Sequence, residues 1–137
     1  MRNLLRLRLS VVLLTLALAS CSNNMSCTRS IGLTARSASC RGWLDQLDGS
    51  HLVTFKLNEV AAGASVNASI LVSVASGSVN VMYRDGEGQR VEAQVFPGAP
   101  LAIQDALRVI FINQTEFTLS SAGGIATGIE YRAEFTR

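Results

Sequence analysis

The sequence predicts an all-β fold, an antiparallel β-sandwich of about seven or eight short strands. Two observations support this prediction. Apolar and polar residues alternate along several short runs, and a period of two places one face of each strand in a core. Glycine-, proline- and asparagine-containing turns separate the runs at intervals of about 8–12 residues, as in sandwiches; a small barrel has the same pattern and remains an alternative.

Six alternating runs supply the predicted strands. Their inward residues are, in chain order, Val53, Phe55 and Leu57; Val66, Ala68, Ile70, Val72 and Val74; Val79, Val81 and Tyr83; Val91, Ala93 and Val95; Phe117 and Leu119; and Ile129, Tyr131, Ala133 and Phe135. The segment Leu107–Ile112 is apolar at all positions except Arg108. A continuous apolar run of this length predicts a central strand that is covered on both faces.

Turn residues lie between these runs. Asp85–Gly88 predicts a hairpin turn because glycine accepts the positive φ that such turns require. Ser76–Ser78 and Asn113-Gln114 predict two further turns, and Pro97–Pro100 predicts a longer connection because proline ends a strand. Two short helical turns are also compatible with the spacing of apolar residues, at Trp43, Leu44 and Leu47 and at Ile103–Leu107.

The first residues have the pattern of an export signal. Arg2, Arg6 and Arg8 precede Leu9–Ala19, which is apolar apart from two hydroxyl residues. As a helix this apolar stretch is about 16 Å long, too short for a hydrocarbon core of about 30 Å. The stretch ends in Leu18-Ala19-Ser20-Cys21, which resembles a bacterial lipobox.

The lipobox resemblance implies cleavage before Cys21, acylation of that cysteine and anchoring of the protein in the bacterial cell envelope. It further implies the outer membrane if the cell has one, because Ser22 rather than aspartate follows the cysteine. The alternative is cleavage by ordinary signal peptidase after Ala19, which would release a secreted protein.

The chain has three cysteines, Cys21, Cys27 and Cys40. An odd number in an exported protein leaves one thiol without an intramolecular partner. Acylation of Cys21 leaves Cys27 and Cys40 as a possible disulfide, closing a loop of about 14 residues and contributing about 3 kcal/mol. Two free thiols are the alternative. Two cysteines and one histidine do not make a closed zinc site, and no metal or cofactor is predicted.

We therefore divide the chain into residues 1–20, a signal peptide; 21–39, the lipidated cysteine and a flexible tether; and 40–137, the β-sandwich domain. The tether is assigned because residues 22–39 are rich in Ser, Asn, Thr and Arg and contain few large apolar residues. Such a linker has an r.m.s. reach of roughly 20–25 Å.

Charge and catalytic residues exclude several functions. Without residues 1–20, nine basic residues face ten acidic ones, and no basic run is present, so nucleic-acid binding is not predicted. His51 is the single histidine, and no nucleophile motif accompanies it, so no catalytic residues are assigned. Asp85–Gly88 lacks the ligand spacing of a calcium loop. The glycine-rich Gly123–Gly128 leads into a strand, which argues against phosphate binding.

The domain also resembles a known class of sandwich. A Phe-x-Leu strand, a glycine-containing turn, a long alternating strand and then Ser-Gly-Ser-Val-Asn-Val-Met-Tyr-Arg-Asp-Gly-Glu-Gly (residues 76–88) are similar to the small jelly-roll-like GOLD and pre-peptidase C-terminal domains of secreted bacterial proteins. The resemblance covers Ser50–Phe135 and implies a fold and an accessory role, without any functional residue.

The expected function is that of a non-enzymatic lipoprotein of the cell envelope. Its partners would be the membrane, through the lipid on Cys21, and an envelope protein bound by loops at one end of the sandwich. The candidate loops are Asp85–Gly88 and Gly123–Gly128, because binding residues are often carried on loops. The alternative is a carrier of small apolar ligands, such as lipids, with a cavity between the sheets lined by the Val66–Val74 stripe.

Overall fold

The predicted all-β fold is confirmed. The computed structural model describes residues 24–31, 36–57, 60–111 and 113–136, which form two antiparallel sheets and no helix. That part of the chain accordingly has no helical segment with the length and hydropathy needed to cross a membrane. The nine strands found there are β1 (Asn24–Ile31), β2 (Arg36–Leu47), β3 (Ser50–Lys56), β4 (Ser65–Ser73), β5 (Val79–Arg84), β6 (Arg90–Val95), β7 (Leu101–Arg108), β8 (Gln114–Ser121) and β9 (Ala126–Thr136).

The strand order is that of a jelly roll. One sheet has the order β1-β2-β9-β4-β7, and the other has the order β3-β8-β5-β6. Along β2–β9, successive strands alternate between the two sheets except for the β5–β6 hairpin, so these eight strands make the two four-stranded layers of a jelly-roll sandwich. β1 is a ninth strand, added at the edge of the first sheet beside β2.

The core lies between the two sheets and is built from the alternating residues. Along β4, the side chains of Val66, Ala68, Ile70 and Val72 are all buried, and the intervening residues point outward. The centre is aromatic. The Phe55 ring centroid lies 5.3 Å from that of Phe117 and 4.9 Å from that of Phe135. Tyr131 meets Phe117 edge to face at 5.6 Å, a favourable arrangement for aromatic pairs.

The predicted tether is wrong for most of its length. β1 and the first residues of β2 lie within residues 21–39, and β1 pairs with β2 from Asn24 opposite Trp43 to Ile31 opposite Arg36. Few apolar residues mark β1 in the sequence, because it lies at the edge of its sheet. Only Met25 among its described side chains packs against the core. Backbone pairing and a cysteine bond hold the strand, and these need no apolar stripe.

Trp43, Leu44 and Leu47 lie in a strand instead of a helical turn. Leu44 and Leu47 both face the core, three residues apart, as do Ala126 and Ile129 on the neighbouring strand β9. In both strands the alternation of inward and outward side chains is interrupted at the same point along the pair, where Gly128 of β9 has a φ of 59°. This matched irregularity produces a three-residue spacing in the sequence, which imitates the face of a helix.

Two predictions on β7 are also wrong. Ile103–Leu107 is part of this strand, and the inward position between the two named residues is occupied by Asp105, a polar residue that interrupts the apolar alternation. Leu107–Ile112 is not a central strand, because β7 ends at Arg108 and lies at the edge of its sheet. Phe111 made this run continuously apolar, but its side chain is 61% exposed.

The turns are mostly where the sequence predicts them. Asp85–Gly88 joins β5 to β6 as a hairpin, and Phe111 accepts a hydrogen bond from the Gln114 amide across a turn in which Asn113 has a φ of 61°. The segment 96–100 connects β6 to β7 in the opposite sheet. Ser76–Ser78 also crosses between sheets, since β4 and β5 belong to different layers.

Gly42 makes room for the ring of Tyr131 on the neighbouring strand. Gly42 and Tyr131 are register partners on β2 and β9, and the tyrosine ring lies directly over the glycine. A Cβ placed on Gly42 would be 2.2 Å from Cζ of Tyr131, closer than any real contact. The ring can cover this strand pair only because residue 42 has no side chain.

We expect Gly42→Ala to lower the free energy of unfolding by about 1–3 kcal/mol, because the methyl group displaces the Tyr131 ring from the core. Chemical denaturation monitored by circular dichroism measures this loss. Ser37→Ala, at an exposed position of the same strand, serves as the control and should change the free energy of unfolding by less than about 0.5 kcal/mol. Equal stability of Gly42→Ala and wild type would contradict the packing described.

Candidate functional site

The cysteines are the first candidate site residues. Cys21 lies outside the described residues. Cys27 and Cys40 are directly opposite each other on β1 and β2, with Cα atoms 4.1 Å apart, and their sulfur atoms are bonded as a disulfide. Cys40 is buried and Cys27 is exposed, so the bond joins the edge strand to the core. It therefore fixes where the folded domain begins relative to the preceding chain.

The two predicted binding loops do not share one end of the sandwich. The proximal end, as we call it, carries the connections 48–49, 74–78, 96–100 and 122–125, and β1 begins four residues short of it, opposite Trp43. The distal end carries the β3–β4, β5–β6 and β7–β8 connections. Gly123–Gly128 is therefore at or near the proximal end, and Asp85–Gly88 is at the distal end. The prediction was wrong because sequence alternation does not reveal which way each strand runs.

Asp85 organises the distal hairpin. Its Oδ1 accepts hydrogen bonds from the backbone amides of Glu87 at 3.0 Å and Gln89 at 2.8 Å, and Arg84 donates to the carbonyl of Gly88 at 3.0 Å. A carboxylate that accepts amides in this way shapes a turn. Among the described residues no group of three or more His, Cys, Asp or Glu side chains is arranged to hold a metal ion.

Gly123–Gly128 is packed against the β4–β5 connection. Ser76 pairs with Thr127 through a backbone bridge and a hydroxyl–hydroxyl bond, and the amide of Ala75 donates to the Thr127 and Gly128 carbonyls. A Cβ on Gly128 would lie 2.6 Å from the Cβ of Ala75. This glycine is thus required by close approach as well as by its φ, and it holds two connections of the proximal end together.

The sequence did not reveal a polar contact between the sheets. The Tyr83 hydroxyl on β5 donates to Oδ2 of Asp105 on β7 at 2.9 Å. Burial, the hydrogen bond to Asp105 and the negative charges of Asp105 and Asp85 raise the pKa of Tyr83 to about 12. The phenol therefore stays neutral and acts as a donor. The sequence signal was an acidic residue at an inward position of an apolar strand.

His51 has the geometry of a packed side chain. It lies on β3 opposite the buried Leu119, on the same inward face of the strand as Val53 and Phe55. Its Nε2 atom is buried and has no hydrogen-bond partner in the described part of the chain. No carboxylate there orients the ring, as the base of a catalytic triad would require. Glu130 and Glu134 point outward from β9 and are exposed.

The interior stripe of β4 packs into the core. Val66, Ala68, Ile70, Val72 and Val74 belong to the same buried cluster as the Phe55–Phe117–Phe135 aromatic group. These side chains fill the space between the sheets that a carrier of apolar ligands would need around this stripe. The geometry favours a packed core here.

The outer face of the five-stranded sheet is mainly polar, with Trp43 and Leu71 as exposed apolar residues. An open groove in this face follows β4 and β7 and is lined in part by Asn67, Ser69 and Gln104. Arg41 and Arg132 are register partners on β2 and β9, and neither forms an ion pair within the described residues. Like charges placed directly opposite each other are unfavourable in a sheet. Nothing within the groove identifies a ligand.

No family model matches the sequence, and no curated protein matches it significantly. Solved structures with a similar architecture include procruciferin, an 11S globulin from Brassica napus, at 17% identity and a TM-score of 0.39, covering 70% of this chain and 20% of procruciferin. The chain spans only about a fifth of procruciferin and of pumpkin seed globulin.

Two further similar structures are not seed globulins. A protein of the disulfide-linked pili that form Bacillus endospore appendages is 13% identical with a TM-score of 0.46, covering 83% of this chain and 88% of its own. Oxalate oxidase in complex with glycolate is 12% identical with a TM-score of 0.39, covering 85% of this chain and 52% of its own. Similarity at this level concerns the fold and assigns no activity.

We expect loss of the disulfide to release β1 before the rest of the domain unfolds. Cys27→Ser combined with Cys40→Ala removes a constraint of about 3 kcal/mol, and β1 has little buried apolar area to replace it. Hydrogen exchange measured by mass spectrometry should show a much larger increase in the exchange of residues 25–31 than in that of β4 and β9. Equal protection of β1 in wild type and variant would show that the bond is not what holds this strand.

We expect Tyr83 to ionise well above the ordinary pKa of tyrosine. In a Tyr131→Phe background, the tyrosinate absorbance should rise with a midpoint near pH 12, and Asp105→Asn should lower that midpoint without returning it to 10.0, because burial remains. Since the folded-state pKa is raised, the stability that this pair contributes is complete below pH 10 and is lost as the pH rises toward 12. An unchanged midpoint in Asp105→Asn would exclude the contact.

Proposed function

We propose that the chain is a lipid-anchored protein of the bacterial cell envelope whose jelly-roll domain is a non-enzymatic binding module. The observation that carries this proposal is the disulfide between two of the three cysteines. Cys27 and Cys40 bond to each other, so Cys21 is left as the unpaired cysteine of an exported chain. It is the last residue of the lipobox-like Leu18–Cys21, where the proposed modification requires a free thiol.

The position of Cys21 relative to the fold supports the same proposal. Cys21 precedes β1 by three residues, so an acylated N-terminus would lead almost directly into the first strand. β1 is bonded to β2 by the disulfide, so a pull on the anchor would be transmitted to a crosslinked sheet. A lipid-anchored domain benefits from such a crosslink close to its attachment point, because edge strands are otherwise the first elements to separate.

The polar residues favour binding over catalysis. His51 has no acidic partner among the described residues, and the acids of β9 lie exposed on a sheet face. Tyr83 is held neutral by burial and by Asp105, which suits a structural donor better than a nucleophile. These groups do not converge on one position, as acid–base or nucleophilic catalysis requires.

Intact mass spectrometry of the protein extracted from membranes of a producing bacterium, under non-reducing conditions, tests the proposal. We expect an N-terminal Cys21 that carries lipid and a mass lower by two hydrogens than that of the reduced protein. The Cys21→Ser protein should carry no lipid and should be absent from the membrane fraction. The protein with Cys27→Ser and Cys40→Ala should still carry the lipid and remain in the membrane fraction. A chain that begins at Ser20 without lipid would show a secreted protein and refute the anchored module.

A further inference from the structure

The two ends of the sandwich differ in charge. The four connections of the proximal end carry a single charged side chain, Asp48, and consist otherwise of small, apolar or hydroxyl residues and proline. At the distal end, the β5–β6 hairpin alone contains Asp85 and Glu87 and is flanked by Arg84 and Arg90. The proximal connections are therefore nearly uncharged, and the nearest charged residue of β2 is Asp45, two positions before its end at Leu47.

Exposed hydrophobic side chains are concentrated at the uncharged end. Phe96 and Ile125, 49% and 52% exposed, lie in the connections at its tip. Trp43, Leu52 and Leu71 are also exposed and lie on the outer sheet faces in the proximal halves of their strands. Phe111 is the one large exposed hydrophobic residue of the described part that lies at the distal end. Phe96 and Ile125 are therefore the exposed apolar side chains that a surface meeting the proximal connections would contact first.

The first residue of β1 lies nearer to this end than to the distal end. Asn24, the first residue of β1, lies opposite Trp43, and β2 continues from Trp43 to Leu47 toward the proximal end, over about 13 Å. Three Cα–Cα steps separate Cys21 from Asn24, so the two Cα atoms are at most about 11 Å apart. This length of chain allows Cys21 to come close to the level of the proximal connections and is too short for it to reach the far end of β1 at Ile31.

We propose that the proximal end of the domain rests on the lipid bilayer, with Phe96 and Ile125 inserted at the boundary between headgroups and acyl chains. This inference rests on the proposed lipidation of Cys21. Apolar side chains on a largely uncharged surface partition into this boundary, typically to a depth of about 5–10 Å. The anchor supplies a high effective concentration of membrane at this end, so a small apolar contact is sufficient to orient the domain.

The distal end is disfavoured as the contact. Its hairpin carries Asp85 and Glu87 between Arg84 and Arg90, and burying these charges at the membrane would cost their hydration, whereas Asp48 is the one charge among the proximal connections. Docking by the proximal end also directs the Asp85–Gly88 hairpin away from the membrane. An envelope partner would then meet the distal hairpin, and the glycine-rich Gly123–Gly128 segment would lie near the lipid.

The test uses tryptophan fluorescence, because Trp43 is the single tryptophan of the chain. In a Trp43→Phe background, three variants each place one tryptophan at an exposed apolar position: Phe96→Trp, Ile125→Trp and Phe111→Trp. The lipidated full-length mature proteins are reconstituted in phosphatidylcholine vesicles with or without bromine on the acyl chains. Phe111→Trp is the matched control, since residue 111 is equally apolar and more exposed but lies at the distal end.

We expect brominated lipid to quench tryptophan at positions 96 and 125 strongly and to leave position 111 unquenched. If each of the three variants has the same fluorescence in brominated and unbrominated vesicles, the inference is overturned and the proximal surface is left to a protein partner. Equal quenching of all three would also overturn it, because the contact would not be oriented. The mass of each reconstituted protein separates the two proposals: a missing lipid refutes the anchor, whereas lipidated but unquenched protein refutes only the docking.

Discussion

The pairing of β9 with both β2 and β4 is the constraint on which the rest of the sandwich depends. β9 supplies Ile129, Tyr131, Ala133 and Phe135 to the core and joins the first part of the chain to its middle. Without it the five-stranded sheet would separate into the β1–β2 and β4–β7 pairs. Such long-range pairing is costly in loop-closure entropy, and burial of the aromatic cluster offsets that cost.

The position of β1 follows from this arrangement. β9 fixes β2, β2 pairs with β1, and the Cys27–Cys40 bond closes the pair. The start of the fold is thereby moved back to Asn24, close to Cys21. A flexible tether would allow a lipid-anchored domain to sample all orientations, whereas a short link at one end of a crosslinked sheet restricts them. If the orientation is restricted in this way, the low charge and the exposed apolar residues of the proximal connections would be held near the membrane.

Alternation predicted the inner strands well because both sheets bury one face: every inward residue named for β4 and β9 is buried. It failed where other forces hold the chain. β1 is retained by backbone bonds and a disulfide, and β2 changes face opposite Gly128, so neither shows a period of two. The Tyr83–Asp105 contact and the separation of the two candidate loops depend on how the sheets stack and on strand direction, which a single sequence does not encode locally.

The central claim is that the folded domain lies against the membrane by its proximal end. Neutron reflectometry of the lipidated protein on a supported bilayer measures the distance between the headgroups and the protein layer directly. We expect a protein layer in contact with the headgroups, with no intervening layer of water. A hydrated gap of roughly 20 Å, the reach of a flexible linker over residues 22–39, would contradict it.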